Sequence, residues 1–141
     1  MKIHNYCKDN EMQNRRCEYF CERNLVSLPQ IVQVLDMTDE QVIKEIERTG
    51  HSVLPEGSSL WLYGSRARGD QHEGSDWDLL ILLDKAKITS NDHDNYVYPF
   101  HELGWDIGEE INPHIYTRQQ WDSWTFLPFY KNVEHDKIVL L

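Results

Sequence analysis

Residues Asp76 to Leu83 read DWDLLILL, and that run constrains the chain more than any other. Its lower part is apolar at every position, as in a strand covered on both faces. Its upper part carries two acids two residues apart. On a strand, Asp76, Asp78, Leu80 and Leu82 leave from one face and Trp77, Leu79, Ile81 and Leu83 from the other. Both carboxylates therefore stand on one face at the strand's mouth, roughly 7 Å apart at the backbone. Two anions so placed repel unless a cation lies between them. Magnesium suits that position, because it takes hard oxygen ligands and shares them with water and phosphate.

A second apolar stretch, Ser59 to Tyr63 (SLWLY), precedes it and reads as an internal strand. It runs into Gly64 and Ser65. Arg66 to Arg68 have the length of one helical turn, which Gly69 stops, and residues 70 to 75 form a loop. Exposed backbone N–H groups at such a turn suit an anion, phosphate above all. Gly64 lets the backbone approach closely, the Ser65 hydroxyl can donate, and Arg66 and Arg68 add positive charge. Phosphate donors on one strand and metal-binding acids on the next would together hold a metal–triphosphate complex. A Walker loop does not fit: Gly64 and Gly69 have its spacing, but Asp70 stands where the lysine belongs. The Arg68-Gly69-Asp70 tripeptide carries too little information to mark an adhesion signal.

Around this centre the pattern is helices first, then strands mixed with helices. Ser27 and Gln30 have capping-box spacing, followed by Leu28, Ile31, Val34 and Leu35 at helical intervals. Thr38 and Gln41 repeat the box, with Val42, Ile43 and Ile46 as a buried stripe and Gly50 as a stop. A helix is expected over 91–103, interrupted near Pro99. Glu110 to Tyr116 (EINPHIY) reads as a third strand, and Pro113 assigns it to an edge or a bulge. Thr117 and Gln120 open a short helix carrying Trp121 and Trp124, and KIVLL is a last strand. The expected class is α/β (α+β), a small mixed sheet flanked by helices. Residues 1–24 are expected to be an extension and 25–141 the domain.

The run Gly64-Ser65-x-Ala67-Arg68-Gly69, then Ser75-Asp76-x-Asp78-Leu79, resembles the minimal nucleotidyltransferases of the DNA polymerase beta superfamily. The motif covers about 16 residues. The resemblance implies a polymerase-beta-like fold and a magnesium-dependent transfer of a nucleoside monophosphate from a nucleoside triphosphate, ATP being the expected donor. It implies that Gly64 and Ser65 contact the triphosphate, with Arg66 and Arg68 beside it, and that Asp76 and Asp78 bind metal. The family adds a third carboxylate from a neighbouring strand. Glu110 is the choice here, because it shares a face with Asn112 and His114; Glu109 and Asp106 are the rivals. If none reaches the site, the protein becomes a nucleotide-binding or antitoxin-like partner without chemistry. The acceptor implied is a hydroxyl on a protein, such as a helical toxin, or on an RNA end. Antibiotic-modifying relatives carry an extra helical domain that this chain has no room for, so a partner chain or a second copy would complete the site.

Composition narrows the alternatives. Acidic residues outnumber basic ones 24 to 14, a formal charge of −10. A non-specific nucleic-acid binder needs the opposite balance. No apolar run reaches the ~18 residues of a membrane span, and the first twenty residues lack the apolar block of a secretory signal. Cys7, Cys17 and Cys21, even with His4, lack zinc-site spacing and read as reduced thiols of a cytoplasmic protein. The aromatic group Trp121, Trp124, Phe126, Phe129 and Tyr130 could stack a base, but sealing the core is the more economical reading. The seven histidines are scattered, and only His114 falls on the face of the expected site.

Overall fold

The computed structural model describes residues 37–141. The expected extension, its cysteines and the helix at Leu28 to Leu35 lie outside the described residues. Helix α1 (Asp39–Val53) begins as its capping box predicts: Thr38 accepts from the Gln41 amide and the Gln41 side chain returns to the Thr38 N–H. Its stripe buries Val42 and Ile46 completely.

Four strands follow in the spatial order β3-β2-β1-β4. Strand β1 (Ser59–Tyr63) runs antiparallel to β2 (Trp77–Leu83), with Tyr63 opposite Asp78. A single turn, α2 (Ser65–Arg68), sits between them. Strand β2 runs parallel to β3 (Ile111–Thr117), with Asp78 opposite Asn112 and Leu80 opposite His114. A parallel pair needs a long crossover, supplied here by one helical rod. It consists of α3 (Ser90–Asp92), a π-helical turn over His93–Val97, and α4 (Tyr98–Ile107).

Pro99 was expected to interrupt this helix, but it lies at the start of α4, where a missing N–H costs nothing. The wider π turn before it takes up the change of register, the Tyr98 amide reaching back to the His93 carbonyl. The rod therefore starts at Ser90 and continues to Ile107, past the expected end at 103.

Strand β3 lies at the sheet edge, as its proline predicts. Two short helices, α5 (Arg118–Ser123) and α6 (Pro128–Asp136), precede the edge strand β4 (Ile138–Val139), which pairs with β1. The sequence reading did not anticipate α6. Its signals are a proline at the first turn and the four-residue spacing of Phe129 and Val133.

The sheet is covered on both faces. On one, Leu60, Leu62, Trp77, Leu79, Ile81 and Leu83 pack with Val42, Ile46 and Phe100 of the long helices. On the other, Trp61, Leu80 and Leu82 pack with Trp121 and Val133. The aromatic group thus goes largely to the core: Trp121 is buried, with Trp124, Phe129 and Tyr130 packed around it, and only Phe126 is well exposed. Among the described residues, no helix is long and apolar enough to cross a membrane.

Candidate active site

The register brings the end of β1 and the starts of β2 and β3 to one lip of the sheet. Tyr63, Asp78 and Asn112 lie side by side across three strands on the same face. Asp76 stands just ahead of β2, and Trp77 N–H donates to the Glu110 carbonyl at 2.8 Å, which continues the parallel pairing by one residue. The expected alternation is observed from Asp78 down β2 and from Asn112 down β3. Asp76 and Asp78 head β2, Glu110 and Asn112 head β3, and Leu80 and Leu82 below them are core.

Asp78 is held from both sides. Asn112 Nδ2 donates to its Oδ1 at 3.1 Å. On the other side lies Gly64, at φ +77°, where an added Cβ would come within 2.6 Å of Asp78 Oδ2. Only glycine suits this corner, both for its positive-φ backbone, with ψ at −155°, and for the space. The turn and the acid are therefore in immediate contact.

Partial burial raises the Asp78 pKa, and the charge of Asp76 raises it further. The Asn112 hydrogen bond acts against both, as does the more distant charge of Arg68. Beneath the acids, Tyr63 Oη and His114 Nδ1 share a hydrogen bond of 3.1 Å. Burial, then the Asp78 charge, pushes the Tyr63 phenol well above its ordinary value, so it stays protonated. Of the seven histidines, His114 sits below this site, against Tyr63 and Phe129.

The two arginines are engaged within the chain. Arg66 donates to the Ser75 carbonyl from Nε and Nη2, at 3.1 and 3.0 Å, and to Asp39 Oδ1 at 2.7 Å. Its guanidinium also covers Trp77, 4.4 Å from the ring centre. Its side chain is only 11% exposed, so it ties α1 and the 70–75 loop to the sheet. Arg68, more open, pairs with Asp136 at 2.7 Å and Asp70 at 3.1 Å.

The carboxylate rivals separate by environment. Glu109 accepts from Trp77 Nε1 at 2.9 Å and lies 3.4 Å from Arg66 Nη2. Asp106 is exposed on α4. Glu110 is exposed at the lip, and among the described residues its side chain has no hydrogen bond or ion pair. Among the described residues, no three His, Cys, Asp or Glu side chains stand close enough together to enclose a metal ion. Asp76 and Asp78, close enough for the charge of one to act on the other, offer two hard-oxygen donors of the kind a magnesium ion shares with phosphate and water.

Beside the acids opens a cleft of about 510 Å³. Asp76, Glu109, Glu110 and Asn112 line one side, and His101 and Trp105 of α4 the other. At the end of α4 the chain folds back over Gly104: the Gly108 and Glu109 amides donate to its carbonyl at 2.9 and 3.0 Å, and a Cβ there would meet the Glu109 carbonyl at 2.7 Å. The sequence reading missed this cleft and the Asn112 contact. The strand parity of Asn112 was a usable signal; for Trp105 there was none.

The sequence model of the nucleotidyltransferase domain matches residues 40–139. The chain belongs to that family. This nucleotidyltransferase domain is 41% identical over 66 residues to the bifunctional uridylyltransferase/uridylyl-removing enzyme of Pseudomonas entomophila (strain L48). That alignment covers 45% of this chain and 7% of the enzyme, so the chain spans a small part of the length of the curated relative it matches.

Two solved structures are similar to the nucleotidyltransferase domain. One is a toxin–antitoxin with AMP-PNP, at a TM-score of 0.52 and 16% identity, covering 70% of this chain and 72% of that one. The other is a mutant of the toxin–antitoxin MntA-HpeT, at a TM-score of 0.51 and 13% identity, covering 70% and 71%. At these identities the likeness concerns the fold. The expected fold class, a small mixed sheet flanked by helices, is borne out.

Proposed function

We propose that this domain transfers a nucleoside monophosphate from a nucleoside triphosphate, with ATP the favoured donor, to a hydroxyl acceptor on a protein or RNA. The observation that carries the reading is the contact of Gly64 with Asp78. It brings a glycine turn suited to phosphate beside a carboxylate suited to metal. Gly64 and Ser65 would hold the triphosphate through backbone N–H groups and the Ser65 hydroxyl. Arg68 would turn toward the phosphates from its surface pairs, while Arg66 would act by fixing the loop that carries Asp76.

Asp76 and Asp78, with Glu110, are the groups that would hold magnesium. When bound, magnesium supplies charge neutralisation at the phosphates and lowers the acceptor hydroxyl's pKa. Asn112 keeps Asp78 Oδ1 engaged and so fixes the carboxylate's rotation. In the step itself the acceptor oxygen bonds to the α-phosphorus, the bond from that phosphorus to the bridging oxygen of the β-phosphate breaks, and pyrophosphate leaves. Glu110, without a partner among the described residues, is the group to accept the hydroxyl proton.

The likeness to toxin–antitoxin structures supports a protein partner, and AMP-PNP in one of them supports an adenine nucleotide. A cytoplasmic setting, where triphosphates are abundant, goes with this reading. A second reading, nucleotide binding with little or no chemistry, is favoured by the lack of an assembled three-carboxylate cluster among the described residues.

Incubation with each α-labelled triphosphate, with and without magnesium, separates the two. Pyrophosphate release or labelled protein that requires magnesium and disappears in Asp78→Asn supports transfer. Thermal stabilisation by ATP without product supports the binder, and neither response would refute both.

A further inference from the structure

The strand order gives the site a direction. The Gly64-Ser65 corner lies on the β1 side of Asp76 and Asp78, and the cleft lies on the β3 side. In-line displacement puts the leaving group and the attacking oxygen on opposite sides of the phosphorus. If pyrophosphate leaves toward Gly64, as the reading above has it, the acceptor arrives through the cleft.

Helix α4 exposes large aromatic rings at and beside the cleft. Trp105 is 69% exposed and Tyr98 48%. Tyr98 packs edge-on to Trp105 at 5.9 Å, and His101 lies nearly parallel to it at 6.4 Å. These rings sit at three- and four-residue intervals on α4, so they share a helix face, with the exposed Glu102 and Asp106 alongside. A broad indole face held by its neighbours and bordered by acids is a favourable seat for a guanidinium or ammonium group.

We infer that this cleft and the adjoining face of α4 form the acceptor subsite, that Trp105 is its platform, and that the occupant is a basic segment of a protein. An Arg or Lys side chain lies over Trp105 between Glu102, Asp106 and Glu110, and a neighbouring hydroxyl reaches the lip. The charge argues for this occupant over the others. A polyanionic RNA would meet the acids of the cleft, and a second copy of a chain with net charge −10 would bring acid to acid.

The test uses the full chain and synthetic peptides bearing one Ser, Thr or Tyr flanked by arginines, the same peptides flanked by glutamates, and an oligouridylate. Binding is read by isothermal titration, which needs no catalysis, and ATP–magnesium affinity is measured in parallel. The expected result is binding of the arginine peptides alone, weakened about tenfold in Trp105→Ala and about threefold or less in Trp105→Phe. Glu102→Gln with Asp106→Asn should weaken it as well, and ATP affinity should not change with Trp105→Ala.

Equal binding of the glutamate peptides, no peptide binding at all, or preference for the oligouridylate overturns the proposal. So does a loss of ATP affinity in Trp105→Ala, which would give the cleft to the nucleotide's base. Failure of the transfer reading is seen separately, as absence of ATP binding or product in the unsubstituted protein.

Discussion

Trp77 Nε1 donates to Glu109 Oε2 at 2.9 Å, and through that bond the first residue of β2 fixes the turn before β3. The same carboxylate oxygen lies 3.4 Å from Arg66 Nη2. Glu109 is thus occupied with structure, and its neighbour Glu110 is left at the lip. Glu109→Gln should lower the melting temperature, because it weakens two contacts to a nearly buried indole and guanidinium. Glu110→Gln should leave the melting temperature unchanged and reduce turnover by about 10²-fold, the usual scale for a lost proton acceptor. Thermal melts and labelled-nucleotide assays on both variants check the division; the reverse pattern would make Glu109 the third acid.

Gly64→Ala should abolish nucleotide binding with a modest loss of stability. The added Cβ would lie 2.6 Å from Asp78 Oδ2 on a backbone at φ +77°. With ψ at −155° this is a backbone region essentially reserved for glycine, costing another residue about 1–3 kcal/mol, and the clash displaces the carboxylate. Urea unfolding and titration with ATP and magnesium would measure the two effects separately. A variant that bound nucleotide like the parent would deny the turn its role.

Asp78→Asn should remove transfer yet stabilise the metal-free fold. Burial and the Asp76 charge both disfavour ionised Asp78, so its folded pKa is raised. Above that pKa the native state holds a charge that the unfolded chain tolerates better, and stability is lower there than it would be for a neutral side chain. Asparagine keeps the shape without the charge. A melting temperature a few degrees higher in the presence of EDTA is expected, and a drop would contradict it. Such a gain at the expense of activity is common where a site carries like charges.

Asp92 predicts an acid-sensitive contribution of the opposite sign. Both its oxygens accept from Lys85 Nζ, at 2.7 and 2.8 Å. The Thr89 amide and hydroxyl donate to Oδ2 at 2.7 and 2.8 Å. The Lys85 bond first, then the two from Thr89, bring its pKa down to about 2. A lowered carboxylate stabilises at neutral pH and loses that effect as pH falls from the ordinary carboxylate range toward about 2. Asp92→Asn should therefore melt below the parent at pH 7, and the gap should close as the pH approaches 2. A gap independent of pH would mean that packing, not charge, is what the substitution removes.

Much of the site was legible because it is written in local periodicities. The two-residue spacing of Asp76 and Asp78, the glycine before Ser65 and the three-residue spacing of the capping boxes at Thr38 and Thr117 each act within a few residues. Strand parity likewise foretold that Asn112 and His114 share a face, and Pro113 foretold an edge strand. What such rules cannot supply is the partner across a long separation. Arg66 carries the same charge whatever it meets, and only the tertiary fold brought Asp39 of α1 and the Ser75 carbonyl within its reach. Pro99 was a break by rule and the start of a helix in fact, because a wider turn upstream absorbed it. The cleft beside Trp105 brings residues of α4 together with Asp76 and the start of β3, a meeting across some thirty residues that no local pattern records. The sequence alone determined which groups stand on which face of each strand and helix, since backbone geometry dictates that residue by residue. The tertiary structure alone decided which of those faces meet, since that depends on how all the buried surfaces fit at once.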